Sequence, residues 1–441
     1  MITSNHKASG DSSRCGMTLT EMLVATTMTL VIMGVVVQLF GMVGNGVSAS
    51  RASLRMSSEL RSVAHTLRTD LNGITVETVP PVKVDSDSGY LEIIEGSGTD
   101  SSLGFTQLTG DIDDVLMFTT KSMGKPFVGK LGTAGDLIES PYAEVAWFCE
   151  PATNQPIAID SNGDGTKDSS LLYNLHRRQL LVMDYVGAGS FHGTNSINGS
   201  MPTPLPTAYA DNDLSLRRIP GTSRLLPNGL SDLTKRENRF LHNFTGVVSA
   251  GAFPYNNVMT NLPTNGSLSG NRLGEDIVLS NVLAFDVRVF DPSAEVLNNA
   301  TAGVAVVPGD PGYGAGVSFS PTIIEGAYLD LGHNAATGVF AAVSPKVGYK
   351  SNNSQRLTRT YDTWSDHYEF NGIDEDSQYG VDQKNNLIDD DSNGIIDDAN
   401  ELETSPPYPV PLRGLEVRIR IYDASTRQVR QVTVRHTFVP H

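Results

Sequence analysis

Residues 1–16, MITSNHKASGDSSRCG, are small and polar, whereas residues 22–50 carry no charged side chain at all. The apolar part of that run, 22–43, is long enough to cross a bilayer as a helix, for which about 20 residues suffice. A helical period then takes over. Met56, Leu60, Val63, Leu67 and Leu71 recur at three- and four-residue steps, with Arg55, Arg61, Arg68 and Asp70 on other faces. Asn72-Gly73 is a stop signal. The pattern predicts one long helix, an apolar span over 17–44 continued by an amphipathic half over 45–73.

Beyond residue 74 the period shortens to that of strands. The runs 115–120 (VLMFTT), 144–149 (EVAWFC) and 180–183 (LLVM) are short and apolar or alternating. A longer run, 276–290, is expected to put Leu283, Phe285, Val287 and Val289 on one face. Near the C-terminus Leu415, Val417, Ile419 and Ile421 alternate with Glu416, Arg418, Arg420 and Tyr422, and 423–427 turns back into 428–438 as a hairpin. Cys149 alternates with Trp147 and Val145 and reads as core. Two stretches, 187–239 and 295–355, are rich in small and turn-forming residues and read as loop insertions that bind or cover. No convincing internal repeat is visible. The expected class is α+β: a long N-terminal helix, membrane-spanning then amphipathic, packed on an antiparallel β-sheet body over 74–441 with long loop insertions.

One charge, Glu21, stands at the head of the apolar run, preceded by MTLT. A carboxylate at the edge of a spanning helix is costly if left unpaired in lipid. A cut after Gly16 would make Glu21 the fifth residue, one turn from a new α-amine. In a stack of identical helices that amine and a neighbour's carboxylate can pair and set the axial register. The string GMTLTEMLVA resembles the type IV prepilin cleavage and methylation motif, with Gly16 before the cut, Met17 in place of the more usual Phe, and Glu21 at mature position five. Gln38 stands near where major pilins carry a helix proline. The resemblance implies that 1–16 is a leader removed by a prepilin peptidase, which also N-methylates Met17. It further implies a single pass through the bacterial cytoplasmic (inner) membrane, an extracytoplasmic body, and assembly with other pilins or pseudopilins into a filament. The order of long helix, the phrase TLRTDLNGI, then antiparallel strands is similar to large minor pilins and J-type minor pseudopilins of type II secretion.

Two other readings of the same residues stay open. One is a plain single-span anchor without processing. The other is an export signal cut after Ala49, where Val47-Ser48-Ala49 satisfies the small-residue rule, although the apolar core exceeds the usual roughly 7–15 residues. The chain would then be a secreted or membrane-anchored calcium-binding or adhesive protein. Charge does not orient the span, because Lys7 and Arg14 precede it while Arg51, Arg55 and Arg61 follow.

A net charge of −17 argues against a sequence-independent grip on nucleic acid. Much of the excess lies in 362–403, where fourteen carboxylates, Asp362 and Glu369 among them, face a single Lys384, so a local cation site is expected. Within it Asp389, Asp391 and Asn393 occupy positions one, three and five of a calcium-type loop, with Gly394 at six and Asp397 at nine. Position twelve is Asn400, so Asp398, Glu401 or Glu403 must complete the shell. Asp160, Asn162, Asp164 and Asp168 repeat the start of the pattern, and Asp374, Asp376 and Asp382 form a poorer third array. The expected cofactor is structural Ca2+, and the expected role is stapling a loop. The resemblance adds that some pseudopilins hold structural calcium.

Catalytic signatures are missing. The nine histidines are scattered, the glycine-rich 309–316 lacks the Lys-Ser/Thr of a phosphate loop, and no Gly-x-Ser-x-Gly elbow occurs. The expectation is a structural subunit, not an enzyme. Of the two cysteines, Cys15 falls in the leader, which leaves Cys149 alone and forbids an internal disulfide in the mature chain.

Overall fold

The sequence from Thr18 onward forms a single helix, α1 (Leu19–Asn72), in the computed structural model, which describes residues 16–96, 110–132, 135–152, 157–159, 168–184, 205–218, 225–240, 242, 267–268, 270–299, 304–308, 313, 319–333, 338–341, 359–375, 380–398 and 401–438. The chain divides into two units, 1–55 and 56–441. In the first unit α1 exposes its apolar side chains from Met22 to Val47.

Sixteen strands follow among the described residues. They are β1 (Leu91–Ile94), β2 (Val115–Lys121), β3 (Phe127–Leu131), β4 (Asp136–Ser140), β5 (Tyr142–Pro151), β6 (Ile157–Ile159), β7 (Asp168–Ser170) and β8 (Tyr173–Val182). Then come β9 (Leu216–Arg218), β10 (Leu225–Pro227), β11 (Ile277–Asn299), β12 (Val304–Val306), β13 (Phe319–Leu329), β14 (Thr360–Asp362), β15 (Gly414–Asp423) and β16 (Gln428–Thr437). Ten of them make one antiparallel sheet in the order β14-β1-β2-β5-β8-β11-β15-β16, with β12 and β13 paired to the C-terminal half of β11. The remaining strands form three two-stranded sheets. The fold is α+β, as the periodicities predict.

In the second unit the stripe Met56, Leu60, Val63, Leu67 and Leu71 packs on one face of this sheet, in one core with Phe118, Val145, Trp147, Phe285, Val287, Val417 and Ile419. Each such side chain taken from water contributes about 1.5–3 kcal/mol. The helix ends where expected, and Gly73 is needed there because a Cβ would strike the Lys121 carbonyl. The terminal hairpin also matches, with Leu415, Val417, Ile419 and Ile421 inward and register from Gly414–Thr437 to Asp423–Gln428. Cys149 is half-buried against the same core, and burial pushes its thiol well above the usual range, leaving it protonated and inert.

Four expectations need correction. The described parts of 295–355, expected as loop, include the end of β11 and all of β12 and β13, which pair with β11 in the main sheet. Leu283 does not share the face of Phe285, Val287 and Val289. Two steps along β11, from Val282 to Ala284, oppose one step along β15, from Ile421 to Arg420, so a β-bulge at Leu283 flips the alternation. Val282 joins the helix-side core, and Leu283 turns to the other face with Tyr422. Asp70, placed on an outer face by period alone, is buried: Arg177 Nε and Nη2 each approach it at 2.7 Å, and Trp147 Nε1 at 3.1 Å. The described parts of 187–239, expected as loop, are a packed layer. Helices α2 (Leu205–Asp211) and α3 (Leu230–Leu233) belong to it, and Tyr209, Leu214, Leu216, Leu225, Leu233 and Phe240 cover the second sheet face with Met117, Phe148 and Leu180.

Candidate functional site

At the start of α1, Thr18 and Glu21 form a reciprocal cap. The Thr18 N–H and hydroxyl both donate to Glu21 Oε2, at 2.9 and 3.0 Å, and the Glu21 N–H donates to Thr18 Oγ1 at 3.3 Å. This is a Thr-x-x-Glu capping box, legible in the sequence but not among the features drawn from it. It gives Glu21 a local task, yet both bonds to its carboxylate fall on Oε2. Gly16 and Met17 lie exposed just ahead of the helix. Within the apolar run the hydroxyls of Thr26, Thr27 and Thr29 donate to the carbonyls of Leu23, Leu23 and Ala25, at 3.0, 3.0 and 2.7 Å. These three hydroxyls are thereby satisfied within the helix itself. It is one helix long and apolar enough to cross a membrane.

The acidic stretch folds as two matching turns offset by fifteen residues, Asn371 answering to Asn386. In each, the asparagine Oδ1 accepts the N–H two residues on (Ile373, Ile388) at 2.7 Å, and its Nδ2 donates to the acid four residues on (Glu375, Asp390) at 2.6 Å. In each, an aspartate eleven residues after the asparagine takes the next N–H: Asp382 from Gly372, Asp397 from Leu387. The φ angles repeat too, 74° and 63° at Gly372 and Leu387, 51° and 53° at Asp382 and Asp397. A repeat is therefore present where the sequence reading found none.

Of the residues expected to hold calcium, Asp389 and Asp391 come together, joined by Glu401, with one oxygen of each within 4.8 Å of the others. Asn393 lies beside them, donating from Nδ2 to Asp391 and Asp398 at 2.9 and 2.8 Å. Asp397 instead caps Leu387. Glu401, thirteenth from Asp389, is fully buried, and its carboxylate accepts the N–H groups of Asp390, Asp391 and Asp398. Three hard carboxylates of this kind suit calcium, which takes six to eight oxygens. Asp160, Asn162 and Asp164 lie outside the described residues, and Asp168 begins β7 opposite Ile159 of β6. In the third array Asp374 is exposed, Asp382 caps Gly372, and Asp376 lies outside the described residues.

Asp362 and Glu369, expected with the cation cluster, have other partners. Asp362 Oδ2 meets Arg236 Nε and Arg239 Nη1, each at 2.8 Å. Glu92 meets Arg236 at 2.6 Å, Arg239 at 3.0 Å and His242 at 2.8 Å. All five are buried. Burial alone would raise the Glu92 carboxyl, but His242 and the two guanidinium groups hold it well below the usual range. The network clamps 236–242 to the sheet. Glu369 accepts the N–H groups of Glu403 and Thr404 at 3.0 and 3.1 Å, closing the base of the acidic stretch.

A second buried acidic group was not foreseen. Glu95, Asp111 and Asp114 are 6%, 5% and 1% exposed, and one oxygen of each lies within 4.8 Å of the others. Burial and the neighbouring carboxylates push Glu95 and Asp114 well up, and burial with the Asp113 carboxyl beside it pushes Asp111 to about 8. No local spacing announces this group, because only the pairing of β1 with β2 brings Glu95 to the other two. No family model matches the chain, nor does any curated protein or solved structure.

Proposed function

We propose that this chain is a minor pilin or pseudopilin, a structural subunit of a type IV pilus-like or type II secretion filament, cut after Gly16 and N-methylated on Met17. The observation that carries the reading is the exposed apolar half of α1, uncharged over 22–50 and headed by a lone carboxylate one turn from Met17. A prepilin peptidase at the cytoplasmic face removes the leader and methylates the new terminus. The apolar half of α1 anchors the body outside the inner membrane until assembly. In the filament the same surface packs on the helices of other subunits, and Glu21 Oε1, the oxygen the cap does not use, receives a neighbour's α-amine. The stripe of α1 from Met56 to Leu71 packs on the sheet of the body. Calcium at Asp389, Asp391 and Glu401 stiffens the acidic turns, a role in assembly and not in catalysis.

Mass spectrometry of the protein purified from its native membrane tests the reading. N-methyl-Met17 is expected as the first residue. A chain beginning at Met1, or at Ser50 as an export signal requires, would overturn it.

A further inference from the structure

We propose that Glu95, Asp111 and Asp114 form a buried calcium site, separate from the acidic turns, that locks the end of β1 and the entry to β2 against β11. Three features support it. The first is enclosure: all three carboxylates are more than nine-tenths buried, and among the described residues Glu95 Oε2 and Asp111 Oδ2 meet no hydrogen-bond partner. Buried polar atoms are almost always satisfied, so two orphaned carboxylate oxygens at one place point to a ligand.

The second is charge. Asp286 and Asp330 also face the group, from β11 and from just beyond β13, and Asp113 adds a further, exposed carboxylate. The guanidinium beside them, Arg288, is taken by Asp286 at 3.0 Å and Asp330 at 3.2 Å. Arg418 lies 3.9 Å from Asp286, and Arg359 donates to the Gly96 carbonyl. Among the described residues Glu95, Asp111 and Asp114 thus have no side-chain cation of their own, and uncompensated buried charge is strongly destabilising.

The third is fit. The donors are all hard oxygens, which select calcium-like ions over zinc or copper. One oxygen of each lies within 4.8 Å of the others, inside the roughly 5 Å that ligands on opposite sides of one calcium ion can span. Backbone groups already orient the ligands. Asp114 accepts the N–H groups of Val287 at 2.7 Å and Gly96 at 3.3 Å, and Asp111 accepts that of Asp113 at 3.3 Å. The segment is tied to β11 as well, through Phe285 N–H to the Asp111 carbonyl at 2.8 Å and Gly110 N–H to that of Leu283 at 3.1 Å.

The test uses the full chain in detergent micelles, with the loop candidates silenced by Asp160→Asn, Asp164→Asn, Asp389→Asn and Asp391→Asn. Equilibrium dialysis is expected to find one calcium ion per chain, and the melting temperature should rise with calcium relative to chelator. Adding Asp111→Asn and Asp114→Asn should abolish both effects. In chelator that six-fold variant should still unfold cooperatively, because each asparagine keeps one acceptor oxygen and removes the repulsion, at Asp114 giving up only the longer bond from Gly96 at 3.3 Å, and this separates a lost ligand from a lost fold. If the four-fold chain binds no calcium and melts alike in calcium and chelator, the carboxyls share protons and the proposal fails. Calcium retained by the six-fold variant would equally overturn it.

Discussion

Removing the carboxylate of Asp70 measures how firmly the last turns of α1 are fixed to the sheet. In Asp70→Leu, Arg177 loses two bonds of 2.7 Å and the Trp147 indole N–H loses its acceptor. Breaking a buried ion pair by deleting one partner costs about 3–5 kcal/mol. Arg177 keeps 14% of its side-chain exposure and regains some water, which favours the lower end of that range. The orphaned indole N–H adds about 1–3 kcal/mol, partly overlapping, so about 4 kcal/mol is expected in all. Urea titration of the full chain in micelles, followed by far-UV circular dichroism, avoids the changed surroundings of Trp147. The exposed Arg68→Ala is the control, expected within about 0.5 kcal/mol of the parent. The combination Asp70→Leu with Arg177→Met should recover most of the loss, because an apolar pair replaces an ionic one at little cost. A loss below about 1 kcal/mol, or a double variant no better than the single one, would refute buried-charge pairing as the fastening.

Glu21→Gln keeps the capping box, since glutamine serves at that position, but removes the charge. It should insert normally and yet fail to assemble, like Glu21→Ala; normal filaments from it would reduce Glu21 to a cap. Glu401→Ala strips the acceptor from three N–H groups and one proposed calcium ligand. Its melting temperature should fall and its response to calcium shrink, and an unchanged calcium response would remove Glu401 from the site. Burial pushes the Asp291 carboxyl up, but His333 and the N–H groups of Phe340 and Ser293 prevail and hold it at about 2. A depressed carboxyl contributes stability above its unfolded value of about 3.9, lost as pH falls toward 2, here at most about 3 kcal/mol. Acid titration of unfolding free energy should therefore be shallower between pH 4 and 2 in Asp291→Asn, and parallel curves would contradict the assignment.

Much of the frame was legible because it depends on period. The stripe from Met56 to Leu71 and the alternation from Leu415 to Ile421 each identify a buried face without knowledge of the partner. What failed was whatever depends on a partner distant in sequence. Asp70 looked like a surface charge until Arg177 and Trp147 met it. Asp362 looked like part of an acidic run until β14 paired with β1 and carried it to Arg236 and Arg239. A bulge shifts register by one residue, which no count of alternation reveals, and so Leu283 changed sides. The site residues divide in the same way. Asp389 and Asp391 follow from local spacing, Glu401 was one of three candidates that spacing left open, and Glu95 with Asp111 and Asp114 had no local signal.

The paired turns between Asn371 and Asp397 behave as an exchangeable cassette. Both ends of the stretch meet at one neck, where the Glu369 carboxylate grips the backbone at Glu403 and Thr404. Each fifteen-residue unit carries its own asparagine hinge and aspartate latch, so a unit gained or lost changes the reach of this arm without altering the span the neck must close. Length variation among relatives of this chain is therefore expected here in steps of one whole unit, with the sheet beneath undisturbed.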